Sequence, residues 1–139
     1  MKHKNILSLL LVAILITLTG CSSTNKESSS KETSTITYQT ITAKEAKEMM
    51  DQDSSVIVLD VRTEEEFNAG HIDGALLIPY TEITEMAEGS FSDKSATILV
   101  YCRSGRRSSI AAQALVDLGY TNIYDFGGIS DWSYDIVTN

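Results

Sequence analysis

From residue 36 to residue 139 the chain alternates short apolar, β-branched runs with stretches of helical spacing. Val56-Ile57-Val58-Leu59 and Thr97-Ile98-Leu99-Val100-Tyr101 carry no polar alternation, the pattern of strands covered on both faces. Ala75-Leu76-Leu77-Ile78 predicts a further strand, closed by Pro79, the only proline. Helix signals lie between these runs. Thr42-Ala43-Lys44-Glu45 and Thr63-Glu64-Glu65-Glu66 both have the capping-box spacing. The first opens a helix through Met50, and the second opens one that stops at Gly70. Thr81 to Ala87 reads as a modest helix. Ile110, Ala111, Ala114, Leu115 and Leu118 share one helical face, with Gly119 as C-terminal cap. Asn122-Ile123-Tyr124 is a short last strand, followed by Gly127-Gly128 and a terminal helix around Trp132. The alternation predicts an α/β fold, a central, mostly parallel sheet with helices on both faces. In such folds ligands sit at the carboxyl ends of strands.

The first 35 residues follow a different pattern. Lys2 and Lys4 precede an apolar run from Ile6 to Leu18, broken only by Ser8 and Thr17. This is the charged region and apolar core of a secretory signal, too short to cross a bilayer as a permanent helix. The run ends in Leu18-Thr19-Gly20-Cys21, which resembles the lipobox of bacterial lipoproteins. The resemblance implies cleavage before Cys21 and lipidation of its thiol, and two or more acyl chains suffice for stable anchoring. Residues 22–35 contain no apolar side chain and read as a flexible tether. At about 5–6 Å × √n, it holds the folded part on the order of 20 Å from its anchor. The expected organisation is a signal peptide over 1–20, lipidated Cys21 and tether over 21–35, and one domain over 36–139, held on the extracytoplasmic face of the cell membrane.

Composition narrows the function. The 139 residues carry a net charge of −8, and removal of residues 1–20 takes away two lysines and no acid, leaving −10. An acidic chain excludes nucleic acid as an expected partner, because a phosphate backbone needs a basic footprint. No His, Cys, Asp and Glu cluster has metal-ligand spacing, so neither a metal nor an organic cofactor is expected.

Against this acidic background the arginines are unevenly placed. The chain has four, Arg62, Arg103, Arg106 and Arg107, and three lie in Cys102-Arg103-Ser104-Gly105-Arg106-Arg107-Ser108. That segment joins the strand ending at Tyr101 to a helix expected to start near Ser109. A strand, a Gly-containing loop and a helix N-terminus make a cradle of N–H groups suited to an anion. The same cradle lowers the pKa of a thiol. With Cys21 lipidated, Cys102 has no disulfide partner, and an unpaired thiol in an exported protein points to reactivity. A thiol oxidoreductase working through an intramolecular disulfide is excluded for the same reason.

Four separated motifs then carry a resemblance. Asp60-Val61-Arg62, the stretch Glu66-Phe67-Asn68-Ala69-Gly70-His71-Ile72-Asp73-Gly74-Ala75, the Cys102 to Ser108 loop and Gly127-Gly128-Ile129-Ser130-Asp131-Trp132 resemble, in order, the single-domain rhodanese (thiosulfate sulfurtransferase) homology domain. The resemblance implies a rhodanese-like three-layer fold and a Cys102 that accepts a sulfane sulfur as a persulfide. It further implies that Arg103, Ser104, Gly105, Arg106 and Arg107 bind the small anionic sulfur donor, with a thiol or cyanide as acceptor. Rhodanese-like phosphatases and arsenate reductases use a C-x₅-R loop, wide enough for a tetrahedral oxyanion. Here the sixth position after Cys102 is Ser108, and the loop arginine is Arg107 at C-x₄-R; Tyr101, not His, precedes the Cys. A non-catalytic sulfur carrier or anion-binding module is the other alternative.

The remaining polar residues read as structural. Asp60 and Arg62, at a strand end, form an expected ion pair, and His71 resembles a family position that is mainly structural. Glu64, Glu65 and Glu66 place favourable charge at a helix N-terminus, and Trp132 is expected to pack the last helix onto the sheet.

Overall fold

The computed structural model describes residues 37–139. Both capping boxes form. Thr42 and Glu45 exchange bonds at the start of α1 (Ala43–Gln52), and Thr63 and Glu66 do so at the start of α2 (Glu64–Ala69). The remaining elements are β1 (Gln39–Thr40), β2 (Ile57–Asp60), β3 (Leu76–Leu77), α3 (Ile83–Ser90), β4 (Thr97–Cys102), α4 (Arg106–Asp117) and β5 (Asn122–Gly128). The five strands are all parallel, in the order β1-β5-β4-β2-β3.

Strand periodicity assigns the side chains of the sheet to two cores. Along β4, Ile98, Val100 and Cys102 join one core with α3 and α4 residues such as Ile83, Ala111 and Leu115. Leu99 and Tyr101 point to the other, with Ala46 of α1, Phe126 and Trp132. Both faces are covered, which is why the central strands lack polar alternation. Burial of these large side chains, most of them under 2% exposed, supplies the dominant favourable term of folding.

The topology places the site. From β2 the chain runs through α2 outward to β3, whereas from β4 it runs through α4 in the opposite direction to β5. The connections diverge at the carboxyl ends of β2 and β4, and this switch point leaves a crevice. Asp60 ends one strand and Cys102 ends the other.

Several elements differ from the sequence reading: β1 is not expected from it, and α3 runs Ile83–Ser90 in place of Thr81 to Ala87. The helix after Cys102 begins at Arg106, not near Ser109, because Gly105 takes a left-handed φ of 101° and its carbonyl accepts from Ser109 N–H, closing a turn around Arg106 and Arg107. The last strand extends to Gly128. The terminal helix expected around Trp132 is instead a single 3₁₀ turn, Ile129–Asp131. Beyond it the backbone pairs with distant chain: Val137 exchanges N–H···O bonds with His71, and Asn139 N–H donates to Asn68 O. Those partners replace the local bonds of a helix.

Candidate active site

Cys102 is 1% exposed, and its Sγ sits among donors. Gly105 N–H donates to Sγ at 3.1 Å. The Cys102 thiol donates to Ser108 Oγ at 3.7 Å, and the Ser108 hydroxyl donates in turn to the Gly105 carbonyl at 2.9 Å and the Gly127 carbonyl at 3.2 Å. Burial pushes the Cys102 thiol up, but the N–H groups of Ser108, Ser104 and Gly105 and the Ser108 hydroxyl outweigh it, so the thiol lies below its ordinary pKa. These are dipoles at a helix N-terminus, which favour the thiolate.

The loop rests on a second segment. β5 carries a bulge where it leaves register with β4: Val100 pairs with Asp125, but Cys102 pairs with Gly128. The extra residue brings Gly128 against the loop backbone. A Cβ on Gly128 would lie 2.4 Å from Arg103 O and 2.7 Å from Ser104 Cα. Gly127, at φ 83°, takes the left-handed turn of the bulge, with its N–H donating to Asp125 Oδ1 at 2.9 Å.

The three loop arginines separate. Arg103 and Arg106 are exposed. Arg107 is bound by Glu66 of α2 through two parallel bonds, Nη1 to Oε2 at 2.6 Å and Nη2 to Oε1 at 2.7 Å. Arg107, with its Thr63 cap bonds, holds the Glu66 carboxyl well down, to about 2. Glu66, first among the causes, and the nearby Cys102 sulfur strengthen the hold of Arg107 on its proton. One carboxylate therefore closes the α2 cap and orients the cation beside the sulfur.

Asp60 and Arg62 form the expected ion pair, fully buried and 5% exposed respectively. Arg62 Nη2 donates to Asp60 Oδ2 at 2.6 Å and to the Gly70 carbonyl at 2.7 Å, tying the end of β2 to the end of α2. His71 stacks on Phe67 at 3.7 Å between ring centroids, and its Nδ1 lies 2.9 Å from Phe67 O. Both polar contacts hold backbone. Trp132, 8% exposed, packs on Phe126 and also borders a cavity that Arg103 and Glu66 share. Cys21 lies outside the described residues.

Sequence reasoning missed three contributors: Glu66 as the partner of Arg107, Ser108 as the hydrogen-bond partner of the thiol, and Gly128 as the platform under the loop. Ser108 was within reach of pattern reading, since it falls on the first turn of a helix once that helix starts at Arg106. The other two contacts join separate elements.

Residues 42–135 match the Rhodanese-like domain family, and the chain belongs to it. Thiosulfate sulfurtransferase PspE of Escherichia coli (strain K12) is 38% identical over 73 residues, which cover 52% of this chain and 70% of PspE. Putative sulfur carrier protein YrkF of Bacillus subtilis (strain 168) is 34% identical over 88 residues, 63% of this chain but only 46% of YrkF. A solved structure described as rhodanese with anions from E. coli superposes with a TM-score of 0.58 at 34% identity, covering 60% of this chain and 99% of the other.

Proposed function

We propose that the protein is a sulfurtransferase working through a Cys102 persulfide. The observation that carries this reading is the Cys102 Sγ held at the N-terminus of α4, where it accepts from the Gly105 N–H at 3.1 Å and lies against Ser108 Oγ, with its thiol held below its ordinary pKa by the surrounding donors. The Cys102 thiolate attacks the outer sulfur of thiosulfate; the S–S bond breaks and sulfite leaves with its electron pair. The amides that favour the thiolate also stabilise the charge on the resulting persulfide. A thiophilic acceptor then takes the outer sulfur, and Cys102 leaves as thiolate. This is two-step covalent catalysis, and cyanide as acceptor gives thiocyanate. Arg103 and Arg106, exposed on the loop, attract the donor anion, because at a Debye length of about 8 Å the acidic remainder is screened. The C-x₄-R spacing and the engagement of Arg107 by Glu66 favour sulfur over a phosphoryl group. Cys102→Ser is expected to abolish thiocyanate formation from thiosulfate and cyanide in the full chain; retained activity overturns the assignment.

Likeness to the putative sulfur carrier YrkF favours one second reading, a carrier that surrenders its sulfur to a partner protein. Mass measurement separates the two, since a persulfide lost on adding cyanide and regenerated by thiosulfate marks the enzyme.

We further propose that Cys21 anchors the domain to the extracytoplasmic face of the membrane. Cys21→Ala is expected to move the protein from the membrane fraction to the soluble fraction and to abolish labelling by a clickable fatty acid. Persistent labelling rules the anchor site out.

A further inference from the structure

On the sheet face opposite Cys102, a cavity of about 530 Å³ opens between α1, the Ile72-Asp73 segment and the tail that follows the 3₁₀ turn. Met50, Ile72, Trp132 and Tyr134 supply its apolar wall. Lys47, Asp73 and Asp135 supply its charges, and these differ in standing. Lys47 is neutralised by Asp51, one turn further along α1. Neither Asp73 nor Asp135 has a cation within 4.0 Å among the described residues. The cavity therefore carries two uncompensated negative charges beside two aromatic rings.

Each side of the cavity is fixed separately. The Ile72 N–H donates to the Tyr101 hydroxyl at 3.2 Å, Trp132 Nε1 donates to Asp135 O at 3.3 Å, and the Val137 pairing with His71 holds the tail beyond Tyr134. The Trp132 and Tyr134 rings meet edge to face at 4.9 Å and form an aromatic corner. Tyr134 keeps 39% of its surface exposed, so its ring is available to a ligand. The volume lies within the range of small-molecule sites, about 300–1,000 Å³.

We propose that this cavity binds a small organic ammonium ion with an aryl or alkyl body, at a site separate from the sulfur chemistry and independent of the persulfide reading. Charge complementarity selects the ligand. An anion would face two unpaired carboxylates, and a neutral molecule would gain only the apolar wall. An ammonium ion gains from both: Asp73 and Asp135 attract its charge, the Trp132 and Tyr134 rings favour a cation, and its body displaces water from Met50 and Ile72. The chain shows the same preference internally, since Lys47 Nζ stands 5.6 Å from the Tyr134 ring centroid. Because Asp51 offsets Lys47, that resident cation leaves the excess negative charge in place.

The test follows the fluorescence of Trp132, the only tryptophan of the chain, as the full chain is titrated at pH 7 with 2-phenylethylammonium, with the neutral 2-phenylethanol and with the anionic 3-phenylpropanoate. The expected result is a saturable change with 2-phenylethylammonium, half complete at about 1 mM or below, and affinity about tenfold lower for the alcohol. Asp73→Asn and Asp135→Asn, both at exposed positions, are each expected to weaken ammonium binding several-fold. Asp117→Asn, an exposed carboxylate of α4 outside the lining, is expected to leave it unchanged. No saturable change with 2-phenylethylammonium, equal affinity for the alcohol or the anion, or a loss on Asp117→Asn as large as on Asp73→Asn overturns the site.

Discussion

Glu66 and Arg107, 41 residues apart, are joined by two parallel hydrogen bonds that tie the first turn of α2 to the first turn of α4. The pair is partly buried, with side chains 28% and 18% exposed, and its fork geometry makes it stronger than a typical surface bridge. Glu66→Gln removes the charge and half of the fork. The expected loss is about 1–2 kcal/mol of stability at pH 7, with a several-fold fall in kcat/KM for thiosulfate as Arg107 loses its fixed position. Urea unfolding and steady-state assay check the two parts.

The same pair gives stability a definite pH dependence. The Glu66 carboxyl falls from an ordinary 4.5 to about 2 in the fold, so the unfolded chain binds its proton first as pH drops. The contribution is complete above pH 4.5 and is lost as pH falls through about 2. Urea midpoints measured between pH 5 and pH 2 are expected to decline more steeply for the native chain than for Glu66→Gln. Parallel curves would refute this linkage.

Ser108→Ala removes one of the groups that lower the Cys102 pKa. With burial unchanged and a donor gone, the thiol pKa rises and the thiolate fraction at neutral pH falls. The pH profile of Cys102 alkylation by iodoacetamide is expected to shift to higher pH, and the rate at pH 7 to drop several-fold. The backbone amides remain, so reactivity is reduced and not abolished.

Gly128→Ala sets a methyl group 2.4 Å from Arg103 O, inside van der Waals contact with backbone. The neighbour is not a flexible side-chain tip, so the loop itself must shift. Overpacking of this kind costs about 1–3 kcal/mol, and displacement of the sulfur cradle is expected to lower kcat by tenfold or more. Circular dichroism that stays native while activity falls is the signature. An active, equally stable Gly128→Ala refutes the platform role.

Arg62→Met leaves Asp60 as an unpaired charge in a fully buried position. Breaking one partner of a buried ion pair costs about 3–5 kcal/mol, and the Gly70 carbonyl loses its donor as well. The expected result is a chain that unfolds at much lower urea, whatever its residual activity. A change below about 1 kcal/mol would show that the pair is not structural.

What the sequence determined by itself was local or periodic. Each capping box spans four residues, so Thr42 with Glu45 and Thr63 with Glu66 were legible from spacing. The central strands were legible because burial on both faces forces an unbroken apolar run. Cys102 stood out by its place between a strand and a Gly-containing loop rich in arginine. Tertiary structure decided the contacts made across the crevice. The arginine count indicated a cationic loop, but only the divergence of α2 and α4 from neighbouring strand ends set Glu66 against Arg107, leaving Arg103 and Arg106 exposed. The bulge in β5 put Gly128 beneath the loop, a contact that depends on register between strands and so has no local signal. The tail failed to form its expected helix for the same reason. Its backbone bonds went to His71 and Asn68, residues near in space and far along the chain, and pattern within a short window carries no information about such partners.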